Sequence, residues 1–114
     1  MDARLPTSLW VDALIRRAAA GGASAFVVQK GDGERGDVLL KVSSLDGSAR
    51  AFAPSIDLDG CRIFLDLIVQ GVGPLEADVD AYVLRARDRD SDLWVIELED
   101  RDGRHFLTET VKSA

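Results

Sequence analysis

Residues 75–99 read LEADVDAYVLRARDRDSDLWVIELE, and their apolar period changes partway along. Leu75, Val79, Tyr82, Val83 and Ala86 recur at intervals of three and four, the spacing of one buried helical face. Glu76, Asp78 and Asp80 stand in the first turns and Arg85, Arg87 and Arg89 near the end, as the helix dipole favours. This predicts a helix over about 75–88. From Trp94 the interval drops to two: Trp94, Ile96 and Leu98 alternate with Val95, Glu97 and Glu99, which predicts a strand. A helix feeding a strand inside one short chain points to a domain that mixes α and β elements.

Working outward from that junction gives the remaining elements. Gly71 to Pro74 breaks the pattern, and before it Cys61 to Gln70 alternates as a strand, with Ile63, Leu65, Leu67 and Val69 on one face. Asp46-Gly47 is a tight-turn signal of the type I′ kind, set between a strand holding Val38, Leu40 and Val42 and a return strand over 48–53. Gly31 to Gly36 reads as a polar hairpin loop, preceded by a short strand over 25–29. Val11, Leu14, Ile15 and Ala18 form a second helical stripe, predicting a helix over 7–20 that Thr7 or Ser8 can cap and Gly21-Gly22 ends. Downstream, Asp102-Gly103 is another tight turn, His105 to Thr108 would pair back, and the tail from Thr110 is expected to fray. The order is αβββ(β)αββ. The predicted fold is one α+β domain over residues 1–114: a mainly antiparallel sheet of about five or six strands, with two helices covering one face.

The 114-residue chain suits one domain with one core. Apolar residues make up 46% and charged residues 30%, which excludes a disordered tail. The longest near-apolar run, Ile63 to Val69, is far short of the roughly 20 residues of a membrane span. No secretory pattern opens the chain, and the single Cys61 cannot close an internal disulfide, so a reduced, cytoplasmic protein is expected. The net charge is −6, and all of the excess lies between Glu76 and Asp102, where ten acids face four bases. Without a basic stripe, neither nucleic acid nor an anionic membrane is an expected partner.

Two stretches carry a resemblance: RLPTSLWVDALIRR at 4–17 and DLWVIELEDRDGRHFL at 92–107. Together they resemble the ends of a domain-of-unknown-function family, number 1491, of short alphaproteobacterial proteins. The resemblance implies a bacterial cytosolic protein. It supplies no catalytic residues, cofactor or partner.

The sharpest chemical pattern is Asp88-x-Asp90-x-Asp92 with Glu99 at the twelfth position. Calcium loops of the EF-hand type take oxygen ligands at positions 1, 3, 5 and 12. Here Leu93 stands where glycine makes the turn, and a strand follows where a helix belongs, so a solvated helix-to-strand connection is the competing reading. His105 and Cys61 are too few for a zinc site and have no third group to orient a nucleophilic pair. An αβββαβ order is also that of nuclease folds, and Asp37 and Lys41 are present, yet residues 48–53 carry no acid-x-Lys pair. Trp94 reads as a core anchor. Trp10, at the edge of its helix's apolar stripe, suits either core or a partner surface.

No catalytic residue or cofactor site emerges. The sequence is read as a non-enzymatic protein-binding or self-associating module, with a protein partner or homo-oligomer expected and Trp10, Glu97 and Glu99 as partner-binding residues. The alternative is a small metal-dependent hydrolase or nuclease-like enzyme working through the carboxylates of Asp88, Asp90, Asp92 and Glu99, with His105 as a further candidate.

Overall fold

A computed structural model describes residues 5–113. The first helix, α1 (Thr7–Ala20), leads to β1 (Ser24–Gln29), β2 (Val38–Ser43), β3 (Ala49–Ile56) and β4 (Arg62–Asp66). A 3-10 turn (Leu67–Gln70) precedes α2 (Glu76–Arg89), and β5 (Trp94–Glu99) and β6 (Val111–Lys112) complete the order. All six strands form one sheet in the order β1-β5-β2-β3-β4-β6.

The expected α+β class holds, but the sheet is mixed. β1–β5, β2–β3 and β3–β4 pair antiparallel, whereas β2–β5 and β4–β6 pair parallel. The β4–α2–β5 connection is long enough to carry the chain over the sheet and return it beside β2, and that length permits a parallel neighbour. By entering between β1 and β2, β5 separates two strands that follow each other in sequence. Residues 31–36 are therefore a crossover loop and not the expected hairpin. Gly31 and Gly36 have a structural cause there: a Cβ at either would stand 2.1 or 2.3 Å from the Asp92 carbonyl oxygen.

The helices lie on opposite faces of the sheet, not on one as expected. Val11, Leu14 and Ala18 of α1 pack with Val38, Leu40, Val42, Phe52, Phe64, Trp94, Ile96 and Leu98. Val79 and Val83 of α2 pack with Leu39, Ala49, Ala51 and Val95. The central strand β2 is consequently buried along its whole length. A strand covered on both faces loses the clean alternation of apolar and polar residues.

Local chemistry explains the remaining differences. Neither Thr7 nor Ser8 caps α1 through its side chain; the cap position is Pro6. The backbone N–H groups of Thr7 and Ser8 donate instead to the carbonyls of Glu34 and Gly33, and the Thr7 hydroxyl donates to the Gly36 carbonyl at 2.8 Å. The crossover loop thus supplies the acceptors that a helix N-terminus needs. β2 and β3 do form a hairpin at Asp46-Gly47, but its loop is wider than a type I′ turn: Leu45 and Gly47 carry the positive φ values, and Asp46 accepts from Ser48.

The predicted strand over 61–70 stops at Asp66. That carboxylate is buried, accepts the Ile68 N–H at 3.0 Å and pairs with Arg50, which starts the 3-10 turn. His105 to Thr108 forms no strand. It crosses the α1 face as an irregular strap tied by Arg17 Nε to the Phe106 carbonyl and by the Leu107 N–H to His105 Nδ1. The expected frayed tail contains β6, whose Val111 lies beside Phe64 on β4.

Candidate functional site

β1 is one of the two edge strands of the sheet, and α2 packs mainly over β2 and β3, leaving much of β1 exposed on that face. Phe26, Val27 and Val28 are 49%, 46% and 39% exposed. Phe26 sits opposite Glu97 and Val27 opposite Ile96, so successive side chains emerge on the two faces of the sheet. A register shift between Val27 and Gln29 marks a bulge near the end of the strand. Beside it, Val28, Val83, Leu84, Arg87, Val95 and Glu97 line a groove of about 300 Å³. Leu84, on the rim, is 59% exposed.

The floor of that groove is ionic. Lys41 on β2 is only 6% exposed, and its Nζ lies 2.6 Å from Asp80, 2.8 Å from Glu76 and 3.5 Å from Glu97. Burial pulls the ammonium pKa down. The hydrogen bonds to Asp80 and Glu76 and the charge of Glu97 outweigh it and hold the group above the ordinary lysine range. One cation held among three carboxylates binds α2 to β2 and β5 and keeps Glu97 in place at the groove. Sequence reasoning attached no binding role to Lys41; a lysine inside the run VLLKV was the available signal.

The residues singled out from sequence separate into distinct places. Glu97 and Glu99 stand on β5 beside β1, opposite Phe26 and Ser24. Trp10 belongs to the α1 face, where its ring stacks on Phe64 at 5.5 Å and its Nε1 donates to Glu109 Oε2 at 2.6 Å. It lines a smaller pocket of about 220 Å³ with Pro54, Arg62 and Glu109. The sheet therefore lies between Trp10 and the two glutamates. Trp94 is a core residue, with Nε1 donating to the Asp32 carbonyl.

Asp88, Asp90 and Asp92 cluster where α2 ends, and Asp90 accepts the Asp92 N–H at 2.9 Å. Glu99 closes β5, a strand length of about 17 Å away at roughly 3.3 Å per residue. The four carboxylates do not converge, and among the described residues no group of three His, Cys, Asp or Glu side chains is gathered to hold a metal ion. Cys61 is exposed just before β4, whereas His105 packs edge-on against Phe52, whose β4 neighbour is Asp66 at the far end of that strand. Burial holds the His105 imidazole below its ordinary pKa against the pull of Asp66. His105, Arg50, Asp66, Asp102, Ser44 and Ser48 border a polar cleft of about 550 Å³ that sequence reasoning missed, because segments distant in sequence meet there. Among the described residues, no helix is long and apolar enough to cross a membrane.

A crystal structure of a DUF1491 family protein from Caulobacter crescentus CB15 is 49% identical, with 96% of this chain and 100% of that one covered and a TM-score of 0.87. An NMR structure of a DUF1491 family protein from the same organism is 50% identical over 96% and 97% of the two chains, with a TM-score of 0.83. The solution structure of Atu0922 from A. tumefaciens is 28% identical over 97% and 99%, with a TM-score of 0.76. No match was found among curated proteins. The family model described as protein of unknown function (DUF1491) matches residues 5–108, and the chain belongs to that family.

Proposed function

We propose that this protein is a non-enzymatic protein-binding module that works by adding a partner strand to β1. One observation carries the reading: Phe26, Val27 and Val28 are consecutive, apolar and exposed on an outermost strand. Edge strands are usually blunted by Lys, Pro or inward charges, because their free N–H and C=O groups are a template for another chain. Ser24 to Gln29 contains none of these residues, and its single bulge lies beyond Val27. Strand addition draws affinity from main-chain hydrogen bonds and specificity from the alternate side chains. Phe26 supplies an aromatic anchor on the α2 side, Val28 and Leu84 an apolar groove, and Glu97 and Glu99 a polar rim that favours a partner with basic residues.

The test is co-purification of tagged protein at native expression, comparing wild type with Val27→Lys and with Trp10→Ala. A specific partner, whether a second copy or another protein, should be retained by Trp10→Ala and lost in Val27→Lys. A partner lost only in Trp10→Ala would move the site to the α1 face. A partner that persists in Val27→Lys, or no partner at all, would sink strand addition.

A further inference from the structure

On the α2 side, β1 is flanked by opposite charges from its neighbours, acid from β5 at one end and base from α2 at the other. Ser24 lies beside Glu99 and Phe26 beside Glu97. At the other end, exposed Arg87 of α2 donates through Nε to Gln29 Oε1 at 3.1 Å. An edge flanked by acid at one end and by base at the other is complementary to itself run antiparallel. We infer that the partner strand is β1 of a second copy of this chain, the two paired about a two-fold axis perpendicular to the sheet.

This inference rests on the strand-addition reading and names its occupant. Directly paired residues point to the same face, so such an axis sets both α2 faces on one side of a continuous sheet. Centring the axis on Phe26 places it opposite the partner's Phe26, Ala25 opposite the partner's Val27, and Ser24 opposite the partner's Val28. Each Phe26 is then diagonal to the partner's Val28, about 7–8 Å away and within reach of an aromatic ring. The ring meets the groove that Val28, Val83 and Leu84 line, which gives an apolar recess to an otherwise exposed phenyl group. The same register carries Arg87 of one copy toward Glu99 of the other. The bulge beyond Val27 bends the strand away and limits the pairing to the stretch from Ser24 to Val28.

Sedimentation equilibrium of the full chain, from low to high micromolar concentration, tests this. Wild type should approach twice the 12.3 kDa chain mass, while Phe26→Asp and Val27→Lys should remain at 12.3 kDa. Circular dichroism verifies that both variants are folded, and either one alone suffices for the comparison. Glu99→Lys and Arg87→Glu should each weaken the dimer about tenfold at low salt, and the double swap should recover to within about threefold of wild type. A monomeric wild type would overturn the inference, as would a dimer that survives Phe26→Asp or a double swap no better than the single changes. If wild type is monomeric yet captures a different protein that Val27→Lys loses, the second copy is wrong and strand addition stands. If neither form of association depends on Val27, both are wrong.

Discussion

Among single residues, Lys41 decides the most. It is buried at the centre of the sheet with three carboxylates that each keep some access to water, 35%, 57% and 23% for Glu76, Asp80 and Glu97. Removing the cation leaves those charges facing one another beside apolar walls. Lys41→Met is expected to cost about 1–3 kcal/mol at neutral pH, read by urea unfolding. Because its folded pKa is raised, the lysine's contribution is complete below the ordinary value of about 10.4 and disappears only as pH climbs through the higher folded one. Asp100 has the opposite sign. It is buried at 6% exposure, receives Arg104 through Nε, a terminal nitrogen and the backbone N–H, and titrates at about 2. A depressed folded pKa stabilises above the ordinary value of about 3.9, and that stabilisation is lost as pH falls towards about 2. Asp100→Asn should therefore melt below wild type at pH 6, by about 1 kcal/mol since Arg104 is half exposed and screened, and the two curves should merge only as pH falls through about 2.

At the scale of elements, local pattern and long-range pairing differ in what a sequence reveals. The helices expected over 7–20 and 75–88 appear as Thr7–Ala20 and Glu76–Arg89, because a helix is encoded by its own spacing. Which strands pair is decided by distant residues. Nothing local to Ser24–Gln29 or Val38–Ser43 announces that β5 will enter between them, so the crossover loop resembles a hairpin. Lys41 also disguised the central strand, since one charge inside VLLKV suggests a solvent face where both faces are in fact covered. Of the candidate site, Glu97 and Glu99 were legible as an acidic strand edge. The exposure of Phe26 to Val28 was not, because an apolar strand reads as core until its place in the sheet is known. The glycine-rich loop gives a direct test of the crossover. Gly36→Ala would drive a Cβ to within 2.3 Å of the Asp92 carbonyl, which the backbone can relieve only by moving, so a loss of about 2–4 kcal/mol is expected. Gly22→Ala is the control: its Cβ meets open space, and its positive φ costs only about 1 kcal/mol. Equal melting temperatures for the two variants would mean that residues 31–36 are not packed as described.

For the whole molecule, the contrast between the two sheet edges is what makes β1 informative. At the far edge, β6 pairs alongside β4, Thr110 accepts the Phe64 N–H, and the strap from Arg104 to Glu109 covers the α1 face through Phe106 and Leu107. The chain blunts one edge with its own tail and leaves the other uncovered. Two truncations separate these roles. A chain ending at Glu109 loses β6 and the Thr110 bond but keeps the Trp10–Glu109 hydrogen bond, for a cost of about 1–2 kcal/mol. A chain ending at Gly103 also loses the Arg104–Asp100 pair, the Arg17–Phe106 bond and the apolar cover of Phe52 and Phe64. That loss is on the order of 5 kcal/mol, comparable with the total stability of a small domain, so this form should melt near or below room temperature. The shorter truncation matters most for association. It frees the β4 edge while leaving β1 intact, so it should add a second mode of self-association that Val27→Lys does not remove. If both modes vanish with Val27→Lys, the β4 edge is inert even when bare, and the sheet associates through β1 alone.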